Sequence, residues 1–321
     1  MDGFVKQGNL ESYRRRDVGA ELERLYGVKY RAYREAWRRS PALLGAAPLH
    51  LDVDLRDACN MRCATCHQAY RERTNVAADP ILIDKALVGA AASGLCSVNF
   101  GASAEPLLEP ELLLYALSVG AKAEIMDSFV HTNGLLLDRE TGRKLIEHGL
   151  KHLCVSLDAA SPETFWNVRK NAGYERIVAN VDGFIRLREE MGACFPEVRV
   201  SFCVNSLNIH EKEAFAAVWK DRADLVEFQT YRHVEGTKIE FSGGAVVQTC
   251  AEGIKRGMLW PQGDITPCCA GCRGLVFGNM SALPFAEIWR SPAAEKIRCA
   301  LATGVGLPDV CRMCLSGRSE G

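Results

Sequence analysis

The 321-residue chain is 48% hydrophobic and carries a formal net charge of -1, enough apolar content for one large domain plus an appendage and no basic field. Charge therefore gives no reason to expect nucleic acid or an anionic membrane surface as a partner. The 14 cysteines come without a signal-peptide core in residues 1–10 and without an apolar run of membrane length. A cytoplasmic protein is expected, its closely spaced cysteines serving as metal or cluster ligands and not as disulfides.

Residues 1–48 read as a helical cap of two charged amphipathic helices, with Leu22, Leu25, Tyr26, Tyr30 and Tyr33 forming an apolar stripe. Arg14, Arg15 and Arg16 read as a solvated helix face. From Leu49 onward, short apolar runs alternate with helical stretches, the pattern of repeated βα units around a parallel sheet. Strands are expected at 49–55, 96–101, 127–131, 152–157, 198–204 and 225–229, with helices at 83–93, 111–121, 138–148, 174–190 and 210–220. The fold class is thus α/β, and the site belongs at the carboxyl ends of the strands.

The residues Asp-Ala-Cys-Asn-Met-Arg-Cys-Ala-Thr-Cys-His-Gln at 57–68 follow the first strand and place Cys59, Cys63 and Cys66 in a C-x3-C-x2-C spacing. Three thiolates on one tight loop can hold three irons of a cubane, whereas closed zinc or iron–sulfur sites take four protein ligands. One iron is then open. After the second strand, Gly101-Ala102-Ser103-Ala104-Glu105 offers small residues that permit close backbone approach and a carboxylate above the sheet. Thr132-Asn133-Gly134 follow the third strand; Ser156, Asp158 and Ser161-Pro162-Glu163 follow the fourth. Each alone is an ordinary turn or cap. Their common position at strand ends, beside the cysteine loop, makes them candidate site residues.

On these motifs, residues 49–229 resemble the core of the radical S-adenosylmethionine (SAM) family, a partial (β/α)6 TIM-like barrel. The resemblance implies a [4Fe–4S] cluster on Cys59, Cys63 and Cys66, with the SAM amino and carboxylate groups on the open iron. It also implies that Glu105 receives the SAM ammonium and Ser156 lies near the ribose, with Gly101, Ser103, Asn133 and Asp158 completing the cofactor-binding set. Thr65 stands where the family often has an aromatic residue, and 101–105 is a loosened form of its Gly-Gly-Glu element. The implied chemistry is a 5′-deoxyadenosyl radical that takes hydrogen from a C–H bond, driven by an external flavodoxin- or ferredoxin-type reductant.

On the fifth strand a period of two puts Ser201, Cys203 and Asn205 on one face and valines with Phe202 on the other. If the polar face lines the barrel, Cys203 is a candidate hydrogen-atom donor, and Cys154, which shares parity with Ser156, is a second. Packing is the commoner fate of a buried cysteine. Glu227, Gln229, Tyr231 and His233 share a face and suit a polyhydroxylated substrate.

After residue 237 the βα rhythm stops, and Cys250, Cys268, Cys269, Cys272, Cys299, Cys311 and Cys314 follow. Residues 258–268 read as a hairpin turning at Gly263, and 285–290 as a helix. This region resembles the SPASM/twitch extension, which implies an auxiliary [4Fe–4S] cluster on Cys250, Cys268, Cys311 and Cys314. Seven residues follow Cys314, which favours the one-cluster twitch form. Cys269 is an alternative to Cys268; a structural zinc on Cys269, Cys272, Cys311 and Cys314 is the rival site. Cys272 and Cys299 otherwise have no assigned role.

The expected division is a helical cap at 1–48, a partial barrel at 49–236 and an auxiliary-cluster domain at 237–321. The cysteine spacings are most similar to aminoglycoside-pathway radical SAM dehydrogenases and epimerases. That resemblance implies oxidation of a carbinol carbon of a sugar or aminocyclitol to a ketone, with the auxiliary cluster as electron acceptor. Alternatives are epimerisation using Cys203 or Cys154, modification of a precursor peptide, and a non-catalytic iron–sulfur or zinc protein.

Overall fold

A computed structural model describes residues 5–7, 10–39, 47–66, 69, 72–231, 248–269 and 274–316. The chain opens with the strands β1 (Val5–Gln7) and β2 (Leu10–Arg14) and the helices α1 (Gly19–Tyr26) and α2 (Val28–Arg39). The βα units follow: β3 (His50–Val53), α3 (Pro80–Ala92), β4 (Ser97–Phe100), α4 (Pro110–Lys122), β5 (Asp127–Thr132), α5 (Arg139–Glu147) and β6 (His152–Ser156). Next come α6 (Pro162–Arg169), α7 (Tyr174–Glu190), β7 (Glu197–Val204), α8 (Lys212–Trp219) and β8 (Leu225–Thr230). The described C-terminal region holds α9 (Glu252–Lys255), β9 (Arg256–Leu259), β10 (Asp264–Thr266), β11 (Gly278–Asn279), α10 (Phe285–Trp289), α11 (Pro292–Thr303) and α12 (Asp309–Ser316).

Strands β3 to β8 lie side by side in chain order, and every pairing among them is parallel. This is the open parallel sheet of a partial TIM barrel. Its outer face carries Val98, Phe100, Val130, Leu153, Val155, Val200, Phe202 and Phe228, all buried in one apolar cluster with helix residues such as Ile83, Leu117, Phe184 and Phe215. Burial of each such side chain stabilises by about 1.5–3 kcal/mol. Helix starts are marked by local chemistry: Asp79, Asp138 and Ser161 cap α3, α5 and α6 by accepting from Ile81 N, Thr141 N and Thr164 N.

The N-terminal segment differs from its expected all-helical form. Residues 5–14 make a hairpin whose second strand pairs antiparallel with β8, so the sheet continues past the barrel on that side. The arginine run is a clamp and not a solvated helix face. Arg14 pairs with Glu197, Arg15 Nη2 lies 3.6 Å and Arg16 Nη1 4.0 Å from the fully buried Asp224, and Arg16 donates to Cys194 O. In the stripe, Leu22, Tyr30 and Tyr33 are buried with Val18 and Met126, while Leu25 is exposed. Tyr33 bonds to Ser97 and Trp37 stands 6.1 Å edge-on to His50, so α2 closes the amino end of the barrel.

The C-terminal region also joins the sheet. The expected hairpin forms, with Ile265 opposite Leu259, and its first strand β9 pairs in parallel with β3. No described helix is long and apolar enough to cross a membrane.

Candidate active site

The cysteine loop leaves β3 at the carboxyl end of the sheet and is held there by backbone bonds. Ala64 N donates to Val168 O at 2.7 Å, tying it to α6, and Cys66 N donates to Cys63 O at 3.1 Å. Cys63 is buried; Cys59 and Cys66 are half-buried, and all described cysteines are free thiols.

Glu105 fastens three loops together. Its backbone N–H donates to Ala58 O in the cysteine loop at 3.0 Å, while its carboxylate accepts from Thr132 Oγ1 at 2.7 Å, Asn133 N at 2.8 Å and Leu107 N at 3.0 Å. Burial pushes its carboxyl pKa up, against the pull of those donors. Asn133 in turn donates to Asn60 Oδ1 at 2.7 Å and reaches within 3.9 Å of Cys59 Sγ. Gly101, at φ +91°, is required by a close approach within the protein: an added Cβ would lie 2.2 Å from His131 O.

A second brace comes from α6. Arg169 Nη1 lies 3.5 Å from Cys63 Sγ, and Nη2 lies 2.8 Å from Asp158 Oδ2. Asp158 is buried at φ +60°, and its other oxygen accepts from Cys203 N at 2.6 Å. Ser156 sits beside Ser201, Oγ to Oγ 3.4 Å, and Ser103 donates through N and Oγ to Asp54. Ser161 is the cap of α6.

The inner face of the sheet is polar from edge to edge. Asp52 accepts from Asn99 Nδ2 at 2.7 Å, Asn99 Oδ1 meets His131 Nδ1 at 2.6 Å, and His131 Nε2 meets Arg199 Nη2 at 2.9 Å. Arg199 also pairs with Glu227 at 2.9 Å and donates to Cys154 Sγ at 2.8 and 3.1 Å. Burial and then the Arg199 charge hold the His131 pKa well below the usual range, so the ring stays neutral. Cys154 is pushed up to about 11 by burial, against Arg199. Cys203 packs on Ala64 and Tyr231, and burial followed by the Asp158 charge pushes its thiol up. Gln229 is exposed, and His233 and Cys272 lie outside the described residues.

Among the candidates in the C-terminal region, Cys250 and Cys311 line one apolar cluster with Ile254, Leu301 and Leu307. Cys268 is near enough to Cys250 that their charges repel, and Cys314 stands one turn beyond Cys311 on α12. Cys269 feels the charges of Asp52 on β3, of its neighbour Cys268, of Arg256 on β9 and of Asp54 just after β3. Cys299 is exposed on α11.

Arg169, the inner-face residues Asp52, Asp54, Asn99, His131 and Arg199, and the loop residue Asn60 were not singled out from the sequence. Parity on β3 carried a signal, since His50, Asp52 and Asp54 alternate with Leu51, Val53 and Leu55.

The residues fit the group that such a loop would hold. A cubane with three thiolates is anionic, and Arg169 brings a cation to Cys63 while its Nε is buried with no hydrogen-bond partner among the described residues. Among those residues no three His, Cys, Asp or Glu side chains meet around one metal-ion position, and a cubane spreads its thiolates over separate irons.

Residues 55–190 match the radical SAM superfamily, and residues 250–315 match SPASM, an iron–sulfur cluster-binding domain. The chain belongs to the radical SAM superfamily, in the group with a SPASM-type extension. The first domain implies SAM and a [4Fe–4S] cluster, and the second implies a further iron–sulfur cluster. The GTP 3′,8-cyclase of Rippkaea orientalis is 28% identical over 203 residues, 62% of this chain and 60% of that protein. The probable GTP 3′,8-cyclase of Methanocaldococcus jannaschii is 26% identical over 184 residues, 56% of this chain and 54% of that protein. The chain thus spans less than two thirds of these relatives.

Among solved structures, BtrN in complex with AdoMet and 2-DOIA superposes with a TM-score of 0.56 at 16% identity, covering 83% of this chain and 92% of that one. Streptococcus suis SuiB bound to S-adenosylmethionine gives 0.60 at 15% identity, covering 91% and 77%. Native anSMEcpe with bound AdoMet gives 0.62 at 13% identity, covering 85% and 92%. These likenesses show the fold.

Proposed function

We propose that this radical SAM enzyme oxidises a carbinol carbon of a sugar or aminocyclitol to a ketone, with an auxiliary cluster as electron acceptor and an external flavodoxin- or ferredoxin-type reductant. The inner-face chain from Asp52 through Asn99, His131 and Arg199 to Glu227 carries this reading. Barrel interiors are ordinarily filled by branched aliphatic layers. A fixed row of donors and acceptors in that position instead suits a small molecule bearing several hydroxyl or amino groups.

When bound, the cluster and SAM supply a 5′-deoxyadenosyl radical. Cys59, Cys63 and Cys66 would hold the cluster, and Cys250, Cys268, Cys311 and Cys314 the auxiliary one. Glu105 and Asn133 would set the loops against SAM, with Gly101 and Ser103 shaping the same loop and Ser156 near the ribose. Asp158 orients Arg169 towards Cys63. The same reading divides the chain at about 48 and 237, with the N-terminal helices closing the barrel.

One observation favours a second outcome. Cys203 lies on the inner face against Ala64 of the cysteine loop, and a thiol kept protonated can return a hydrogen atom to a carbon radical, giving an epimer. Cys154 is the weaker donor because Arg199 occupies its sulfur.

The test offers carbinol-deuterated 2-deoxy-scyllo-inosamine, and separately GTP, to the reconstituted, reduced protein with SAM. Deuterated 5′-deoxyadenosine and a ketone from the first, abolished by Cys59→Ala, support the proposal. An epimer carrying solvent deuterium, lost in Cys203→Ala, rejects oxidation, and turnover of GTP alone rejects the substrate class. Absence of 5′-deoxyadenosine under all conditions would leave a non-catalytic cluster protein.

A further inference from the structure

Oxidising a carbinol requires a proton acceptor, and the carboxylates around the barrel mouth differ in how free they are to serve. Asp52 is held by Asn99, by His50 at 3.3 Å and by Arg256 at 3.8 Å. Glu227 is paired with Arg199 and Asp158 with Arg169. Glu105 accepts three hydrogen bonds, and Asp57 accepts from Thr74 N and Oγ1 at 3.0 and 2.8 Å.

Asp54 is different. It follows β3 at the carboxyl end, shares parity with His50 and Asp52, is 1% exposed and has no cationic partner among the described residues. Among the described residues its carboxylate accepts only from Ser103, through N at 3.2 Å and through Oγ. Among the described residues, the titratable groups that act on it most are Asp52 on β3, Asp57 in the cysteine loop and Cys269 beyond β10. All three are neutral or negative.

We propose that Asp54 is the proton acceptor of the carbinol oxidation, an assignment that rests on the dehydrogenase reading. The C–H hydrogen atom leaves to the 5′-deoxyadenosyl radical, the O–H proton passes to the Asp54 carboxylate, and the remaining electron passes to the auxiliary cluster. The C=O bond forms as C–H and O–H break. Burial, with the charges of Asp52 and Asp57 and against the Ser103 donors, raises the Asp54 pKa to about 6, which suits a base working near neutrality. Ionised Asp52, held near the bottom of the carboxylate range by its partners, is a poorer acceptor.

The test uses cluster-loaded wild type and Asp54→Asn with SAM and carbinol-deuterated 2-deoxy-scyllo-inosamine. Two quantities are read: deuterium in 5′-deoxyadenosine, and ketone formed per 5′-deoxyadenosine. Asp54→Asn keeps an oxygen for Ser103 to bond. It should transfer deuterium normally while the ketone ratio falls about a hundredfold and loses its rise with pH through about 6. Infrared difference titration of the oxidised, cluster-loaded protein should show one carboxyl band near pH 6 in wild type that Asp54→Asn lacks.

An unchanged ratio in Asp54→Asn, or the missing band, overturns the assignment. If wild type transfers no deuterium, or returns an epimer, the dehydrogenase reading itself fails and the assignment with it.

Discussion

Arg169 Nη1 lies 3.5 Å from Cys63 Sγ while its Nη2 lies 2.8 Å from Asp158 Oδ2, so one buried guanidinium links the cysteine loop to the end of β6. Its side chain is 12% exposed and that of Asp158 4%. Removing one partner strands the other charge in a dry site, at a cost of about 3 kcal/mol. Asp158→Asn keeps the backbone bond from Cys203 N and tolerates φ +60°, while Arg169→Met keeps the stem. In urea unfolding of the cluster-free protein each single change should destabilise, and the double mutant should fall short of their sum by about 1–3 kcal/mol. Additive losses would show the pair is not coupled.

Gly101→Ala should destabilise by more than about 3 kcal/mol, because strain at φ +91° adds to a 2.2 Å clash with the His131 carbonyl that neither strand can relieve. Gly149 provides the comparison, since it has φ +73° and nothing within 4 Å of an added Cβ. Gly149→Ala should cost only about 1 kcal/mol. Equal midpoints in thermal unfolding would mean the clash at 101 relaxes freely.

The barrel was legible because its strands alternate. Val198, Val200, Phe202 and Val204 had to face helices, and the structure buries all four. The loops of the candidate site were legible too, since cysteines at fixed spacing and small residues at strand ends leave a local mark. What the sequence hid was pairing at long range. Arg169 lies 106 residues from Cys63, and its helix α6 is not among the helices expected from the sequence, although Ser161 and Pro162 fit a turn or a helix cap. The N-terminal hairpin was missed for a similar reason: β2 is a strand only because β8 offers it an edge, with Tyr13 opposite Val226. Cys268 and Cys269 could not be told apart, because facing directions in a loop depend on where β9 docks.

His152 makes stability pH-dependent in an unusual direction. Burial lowers its pKa, but Asp127 at 2.9 Å and Glu197 at 3.2 Å outweigh this and raise it to about 9 from an ordinary 6.5. A raised folded-state pKa stabilises fully below the unfolded value and is lost as pH climbs through the folded one. Unfolding free energy should therefore fall by about 3 kcal/mol between pH 6.5 and 9, and His152→Gln should flatten that slope. Denaturant midpoints across this range measure it, and a wild-type profile no steeper than that of the variant would contradict the assignment.

The two adjacent cysteines after β10 separate by experiment. Cys268 lies beside Cys250, whereas Cys269 sits among Asp52, Asp54 and Arg256, where a metal-bound thiolate would meet two carboxylates. Two carboxylates against the one Arg256 cation disfavour a further anion there, and we propose Cys268 as the cluster ligand. Reconstituted wild type should contain about eight irons and Cys268→Ala about four, while Cys269→Ala should stay near eight. Cys268→Ala should still form 5′-deoxyadenosine, because Cys59, Cys63 and Cys66 are untouched, yet give no ketone. Iron and sulfide quantitation beside product analysis decides this, and a drop to four irons in Cys269→Ala alone would move the ligand one residue along the chain.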